Sequence, residues 1–257
     1  GATGGQNTAI GNRALQCTTG IQNTALGGAT LRSNTSGACN TASGYASMYK
    51  NTSGHFNTAS GYKSLYCNTT CSHNTAFGNC ALHTSCGATQ NVAVGSCSMT
   101  LTTSGDNNAA VGFKTLGNNT TGQNNTALGS CALIANTTGN YNTGLGFRSL
   151  YCSTDACYSI GIGACALYNT TTGDYNIGIG HRALYNNTTG DHNTASGYAS
   201  LNGNTTGRQN SAYGQQSLYA NTTGCCNVAV GVAALLWNTT GCLNTASGYN
   251  ALRSNTT

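Results

Sequence analysis

The sequence predicts an all-β protein, a parallel β-solenoid (β-roll or β-helix) that gives one 17-residue coil to each repeat. Three observations predict it. Asn23, Asn40, Asn57, Asn74, Asn91, Asn108, Asn125, Asn142, Asn176, Asn193, Asn210, Asn227 and Asn244 fall on one 17-residue ruler, with Ser159 in the only gap and Asn7 one residue out of step. Numbered from that Asn, column 5 is always Gly, and column 9 is Leu except at Met48 and Met99. The chain holds nine basic residues, four acidic ones and no Pro in 257 positions, far below the ~25% charged content of ordinary domains. A fixed period dictates architecture more strongly than local propensity, and a disordered chain would not hold Leu on a ruler.

The repeat reads N-T-A-x-G-x-x-A/S-L-Y-x-N-T-T-G-x-x, about fifteen coils forming a single continuous array over residues 1–257. Columns 2 to 5 alternate Thr or Val with Ala and Gly, which is strand chemistry rather than 3.6-residue helical spacing. Alternation sends columns 2 and 4 one way and columns 3 and 5 the other. Columns 2 and 4 are expected to complete a thin interior beside the Leu of column 9. The small residues of columns 3 and 5 either admit a second backbone or fit a strongly bent strand. N-T-T-G at columns 12 to 15 is expected to form a tight exposed corner, since Asn and Gly tolerate positive φ. Two or three short strands per coil follow, and fifteen coils stacked at ~4.8 Å would make a rod of ~70 Å. Gly1 falls in column 12 and Thr257 in column 14, which reads as a window on a longer fibre-forming chain.

Composition argues against several function classes. The net charge of +5 is spread along the array, with Arg13, Lys63, Lys114, Arg148 and Arg182 all in column 7; nucleic acid binding calls for a denser patch. No apolar run reaches the length of a membrane span. Asp106, Asp174 and Asp191 share column 16, with Asp155 near the same corner, and read as turn residues rather than paired catalytic carboxylates. His55, His73, His83, His181 and His192 are scattered over the columns. The chain is therefore expected to be no enzyme and to need no metal or cofactor.

Asn91-Val92-Ala93-Val94-Gly95, Asn227-Val228-Ala229-Val230-Gly231 and Ser159-Ile160-Gly161-Ile162-Gly163 resemble the N-S-V-A-I-G core of the YadA-like head repeat of trimeric autotransporter adhesins. Similar N-T-A-x-G-x-x-A-L arrays occur in phage and viral tail fibres. The resemblance implies a left-handed parallel β-roll, commonly a homotrimer, serving as a surface fibre or adhesin.

Two kinds of modification are suggested. Asn34, Asn51, Asn68, Asn119, Asn136, Asn187, Asn204, Asn221, Asn238 and Asn255, all in column 12, make N-x-S/T sequons and are expected to carry covalent N-glycans on an exposed corner. The alternative is that N-T-T-G is turn chemistry alone. Fourteen cysteines point to an oxidising compartment. Cys80 with Cys97 in column 7, and Cys225 with Cys242 in column 16, stack on adjacent coils within disulfide reach. Cys67 with Cys71, and Cys152 with Cys157, flank the turn. Cys131 and Cys165 share column 7 two coils apart, ~9.6 Å, and are candidates for bridges to another chain. Tyr in columns 6 and 10, such as Tyr45 and Tyr62 or Tyr151, Tyr168 and Tyr185, suits ladder packing or sugar stacking. The expected function is a structural extracellular fibre or filament subunit, glycosylated and disulfide-stapled, at a cell or virion surface. The alternative is the stalk or head of a trimeric adhesin or viral tail fibre that binds a receptor or glycan.

Overall fold

The computed structural model describes residues 5–257; the column assigned to Gly1 lies outside them. The chain divides into two compact units, Gly1–Asn125 and Thr126–Thr257. Each is a parallel β-solenoid, as expected, and there is no helix among the described residues. Unit 1 holds β1 (Thr8–Ile10), β2 (Thr24–Leu26), β3 (Thr41–Ser43), β4 (Thr58–Ser60), β5 (Thr75–Phe77), β6 (Val92–Val94) and β7 (Ala109–Val111). Unit 2 holds β8 (Thr126–Leu128), β9 (Thr143–Leu145), β10 (Ile160–Ile162), β11 (Ile177–Ile179), β12 (Thr194–Ser196), β13 (Ser211–Tyr213), β14 (Val228–Val230) and β15 (Thr245–Ser247).

Within each unit every strand pairs in parallel with its sequence neighbour, column on column, as in Thr41↔Thr58 and Ile160↔Ile177. The first coil is one residue short, yet β1 and β2 keep the same register, Thr8↔Thr24. The missing residue falls in the turn, where Thr19 and Gly20 both donate to Thr35 O at 2.6 and 2.9 Å.

There is one three-residue strand per coil, at columns 2 to 4, not two or three. The remainder of the coil is bent by three positive-φ positions that carry side chains. Column 7 lies between 51° and 60°, column 9 between 46° and 54°, and column 17 between 55° and 62°. Such residues break the extended run while leaving N–H groups aimed along the stack. In the coil of Asn40, Gly44 and Ala46 donate to Leu26 O and Gly28 O of the preceding coil, at 2.8 and 2.9 Å. Met48 and Thr52 donate to Ser64 O and Thr69 O of the following coil, at 2.9 and 2.8 Å. Each coil is thus bonded on both sides, which satisfies backbone groups that sheet pairing alone would leave open.

The expected conformation of the N-T-T-G corner is corrected. No residue of columns 12 to 15 has positive φ among the described residues. Gly is needed there for space: a Cβ on Gly173 would stand 2.5 Å from Gly190 O of the next coil. The positive-φ glycine is that of column 5, at 113° to 141°, which turns the chain at the end of the strand.

The inward and outward faces are also reversed from expectation. Column 3 Ala is buried, as at Ala42, Ala76 and Ala195, and packs inside with the column 9 Leu. A Cβ at Gly161 would lie 3.3 Å from Leu150 Cγ of the preceding coil, so this position tolerates little beyond Ala. Close packing of that Leu, rather than the approach of a second backbone, accounts for the small residues of column 3. Leu65, Leu116, Leu167 and Leu218 are wholly buried, each contributing about 1.5–3 kcal/mol. The Leu or Met of column 9 and the small residues of columns 3 and 8, such as Ala132 and Ala183, make a thin apolar core and leave much of the interior to polar side chains.

Candidate functional site

Two rows of Asn fill that interior. In column 1, Asn193 donates from Nδ2 to Gly207 O at 2.8 Å, and its Oδ1 accepts the backbone N–H of Asn210 at 3.0 Å. In column 12, Asn204 donates from Nδ2 to Asn187 Oδ1 at 2.8 Å and to Gly207 O at 2.9 Å. Both rows therefore converge on one carbonyl per coil. The column 1 Asn thus both bonds its own coil and ladders to the next.

The column 12 row stands where an exposed corner was expected, and the structure corrects that exposure. Asn34, Asn51, Asn68, Asn119, Asn136, Asn187, Asn204, Asn221 and Asn238 are all buried at 0% exposure. A glycan on Nδ2 would need space inside the coil and would remove an N–H that the ladder uses. Asn255 alone of the ten is partly exposed, and it donates to Asn238 Oδ1 at 3.0 Å. Ser85, Thr102, Ser153 and Thr170 interrupt the row; the hydroxyls of Thr102, Ser153 and Thr170 are buried without a partner.

Columns 2 and 4 form the outer surface of the sheet. Val92 and Val111 in unit 1, and Ile162, Ile179, Val228 and Val230 in unit 2, are 37–43% exposed. Neither column contains a charged residue anywhere in the chain. The result in each unit is an apolar and hydroxyl stripe running across the strands.

Aromatic side chains also stack coil on coil. Tyr151, Tyr168 and Tyr185 stand 4.9 and 5.1 Å apart, and Tyr49, Tyr66 and His83 5.2 and 5.2 Å. A third stack, Tyr141, Tyr158, Tyr175 and His192 in column 17, has spacings of 5.0, 5.0 and 4.9 Å. The sequence reading missed it, although the run of Tyr at 17-residue spacing was visible. Rings that stack on one another cover the faces that a sugar would use, which favours ladder packing. Cations lie over these rings: Arg148 Cζ is 4.9 Å from the Phe147 ring and 5.3 Å from that of Tyr151. Lys63 Nζ is 5.2 Å from the Tyr62 ring, and donation from its ammonium to that residue's phenol oxygen raises the lysine above its usual range. Burial, then repulsion by Lys63 and Lys50, lowers His83.

No protein-family model, curated protein or solved structure matches this chain.

Column 16 has a role that turn composition hid. In several coils its backbone N–H donates to the column 16 side chain of the next coil. Asp106 Oδ1 accepts from Thr89 N at 2.7 Å, Asp174 Oδ1 from Cys157 N at 2.7 Å, and Asp191 Oδ1 from Asp174 N at 2.9 Å. Three of the four acidic residues thus cap a backbone donor of the preceding coil.

The cysteine pairs fare differently. Cys225 Sγ and Cys242 Sγ approach to 3.0 Å. Cys80 and Cys97 sit on adjacent coils, where burial, and next the charge of Cys97, raise the Cys80 thiol. Cys67 faces Cys86 of the following coil and is raised chiefly by burial; Cys71 is buried and raised by the same cause. Cys152 Sγ turns to Asn169 Oδ1 at 3.9 Å, whereas Cys157 Sγ accepts from Asn140 N at 3.3 Å, so the two follow different neighbours. Cys131 Sγ lies 3.6 Å from Ser130 Oγ, and Cys165 is half-exposed. Among the described residues no three His, Cys, Asp or Glu side chains gather as a metal site, and no helix is long and apolar enough to cross a membrane.

Proposed function

We propose that this chain is a structural repeat protein, a subunit of an extracellular fibre whose copies associate side to side through the stripe of columns 2 and 4. The observation that carries this reading is the stripe itself. Exposed contiguous apolar surface marks interaction sites, and Val92, Val111, Ile162, Ile179 and Val230 stay exposed on the outer faces of their units. Because those columns carry no charge, they give a charged partner nothing to complement. A second copy presents the same apolar ridges at the same spacing. Stapling by cross-coil disulfides belongs to the proposal and supports an oxidising, extracellular setting. A carbohydrate coat on column 12 does not, because its Asn row is interior.

Light-scattering mass in solution tests the association. The unsubstituted chain is expected at a multiple of 26.0 kDa, and the double variant Ile162→Glu, Ile179→Glu at a single chain. An unsubstituted chain that stays monomeric at all concentrations contradicts the reading. A mass of three chains, together with binding to a glycan or receptor, would favour the adhesin or tail-fibre alternative.

A further inference from the structure

We propose that Cys225 and Cys242 are a nucleophile and resolving pair, with Cys242 attacking a small-molecule disulfide and Cys225 then closing a cross-coil disulfide. This rests on the stapled reading and gives it a site and an order of events.

The argument starts from column 16. In that column a backbone N–H of one coil is aimed at the side chain of the next, and three coils fill the slot with a carboxylate, those of Asp106, Asp174 and Asp191. Neutral acceptors also fit: Ser72 Oγ accepts from His55 N at 3.0 Å. The slot therefore suits an anion and stays formed around a neutral group. Cys242 Sγ occupies it, 3.1 Å from Cys225 N. The Cys225 thiol stands at 3.0 Å from the same sulfur. A backbone donor and a thiol in contact thus meet at Cys242 Sγ, and adjacent coils at ~4.8 Å fall within the Cα separations a disulfide accepts.

The two thiols are differentiated by this arrangement. Cys242 is lowered, first by the Cys225 thiol and then by the Cys225 N–H; Cys225 is raised, chiefly because its thiol donates to Cys242. Cys242 is exposed and Cys225 partly so, which leaves room for an incoming disulfide. Neighbouring Cys226 does not compete within the pair, since its Sγ is 3.4 Å from Gln209 Oε1 of the preceding coil. Cys80 and Cys97 lack this preparation: Cys97 Sγ has Ser96 Oγ at 3.8 Å, and burial raises Cys80.

The chemistry balances as thiol–disulfide exchange. The Cys242 thiolate attacks one sulfur of an oxidised-glutathione-type disulfide, breaking its S–S bond and releasing one thiolate. Cys225 loses its proton and attacks Cys242 Sγ, breaking the mixed disulfide and releasing the second. Two cysteine thiols are oxidised, and one small disulfide is reduced to two thiols.

The test uses the full reduced chain, oxidised glutathione at neutral pH and site-resolved peptide mass spectrometry. The unsubstituted chain is expected to form the Cys225–Cys242 link. With Cys225→Ser, Cys242 is expected to stop as a stable glutathione adduct. With Cys242→Ser, whose hydroxyl still fills the slot, Cys225 is expected to acquire its adduct about threefold more slowly or slower still. An adduct forming at Cys225 as fast as at Cys242 overturns the order but leaves the staple. Absence of the link in the unsubstituted chain overturns both, while the fibre reading stands or falls on its own mass measurement.

Discussion

The Leu of column 9 shows how a backbone angle selects a side chain. Its φ lies between 46° and 54°, a region where β-branched residues are true outliers. Only Leu and Met occur there, although Ile and Val are used in columns 2 and 4. Columns 7 and 17, also at positive φ, likewise contain no Val, Ile or Thr. Leu184→Ile is therefore expected to cost about 2 kcal/mol or more, against about 1 kcal/mol for Leu184→Met, as read from urea midpoints; equal costs would contradict the assigned angle. His83 offers a second test at this scale. Burial, with Lys63 and Lys50 nearby, lowers it from the usual 6.5, so folding favours the neutral ring. Its contribution is complete above the unfolded value and is lost as pH falls through the lower folded value. Acidification from about pH 7.5 to about pH 5 should lower the Tm less in His83→Phe than in the unsubstituted chain. An identical pH dependence would remove His83 from the account.

At the scale of the coil, the column 12 ladder carries the energetics that a thin core leaves uncovered. Asn204→Ala removes the donor to Asn187 Oδ1 and Gly207 O, and the acceptor of Asn221 Nδ2. Buried groups left open in this way cost about 1–3 kcal/mol each. Thr170→Asn runs the other way, restoring a carboxamide where a buried hydroxyl has no partner, and is expected to stabilise unit 2 by about 1 kcal/mol. Chemical denaturation of the two variants checks both signs. The ruler of Asn and Leu made the existence, spacing and parallel stacking of the coils legible in the sequence. It did not reveal that column 12 turns inward, because Asn, Thr and Gly are equally the residues of an exposed turn. The missing signal was the absence of β-branched residues from columns 7, 9 and 17, which marks where the coil bends. Column 16 was misread for a related reason: an Asp in a turn and an Asp accepting from the next coil look alike in one sequence.

For the molecule as a whole, the interior Asn row decides what surface each unit offers. Chain isolated from its native source is expected to show no N-glycan at Asn34, Asn51, Asn68, Asn119, Asn136, Asn187, Asn204, Asn221 or Asn238; intact mass before and after glycosidase checks this, and a glycan at any of them contradicts the buried ladder. The exposed surface then includes the uncharged stripe, the aromatic stacks with their cations, and a few accessible thiols, which is why association with like copies is the reading adopted. That reading depends on one structural assignment, that column 2 faces out and column 3 faces in. Neighbours on β12 test it directly, because Thr194 is partly exposed and Ala195 fully buried. In a single comparison of urea unfolding, Ala195→Asp is expected to lose several kcal/mol, from burying an unpaired carboxylate, whereas Thr194→Asp keeps its midpoint within about 0.5 kcal/mol. The reverse order, with Thr194→Asp unfolding the unit and Ala195→Asp tolerated, would contradict it.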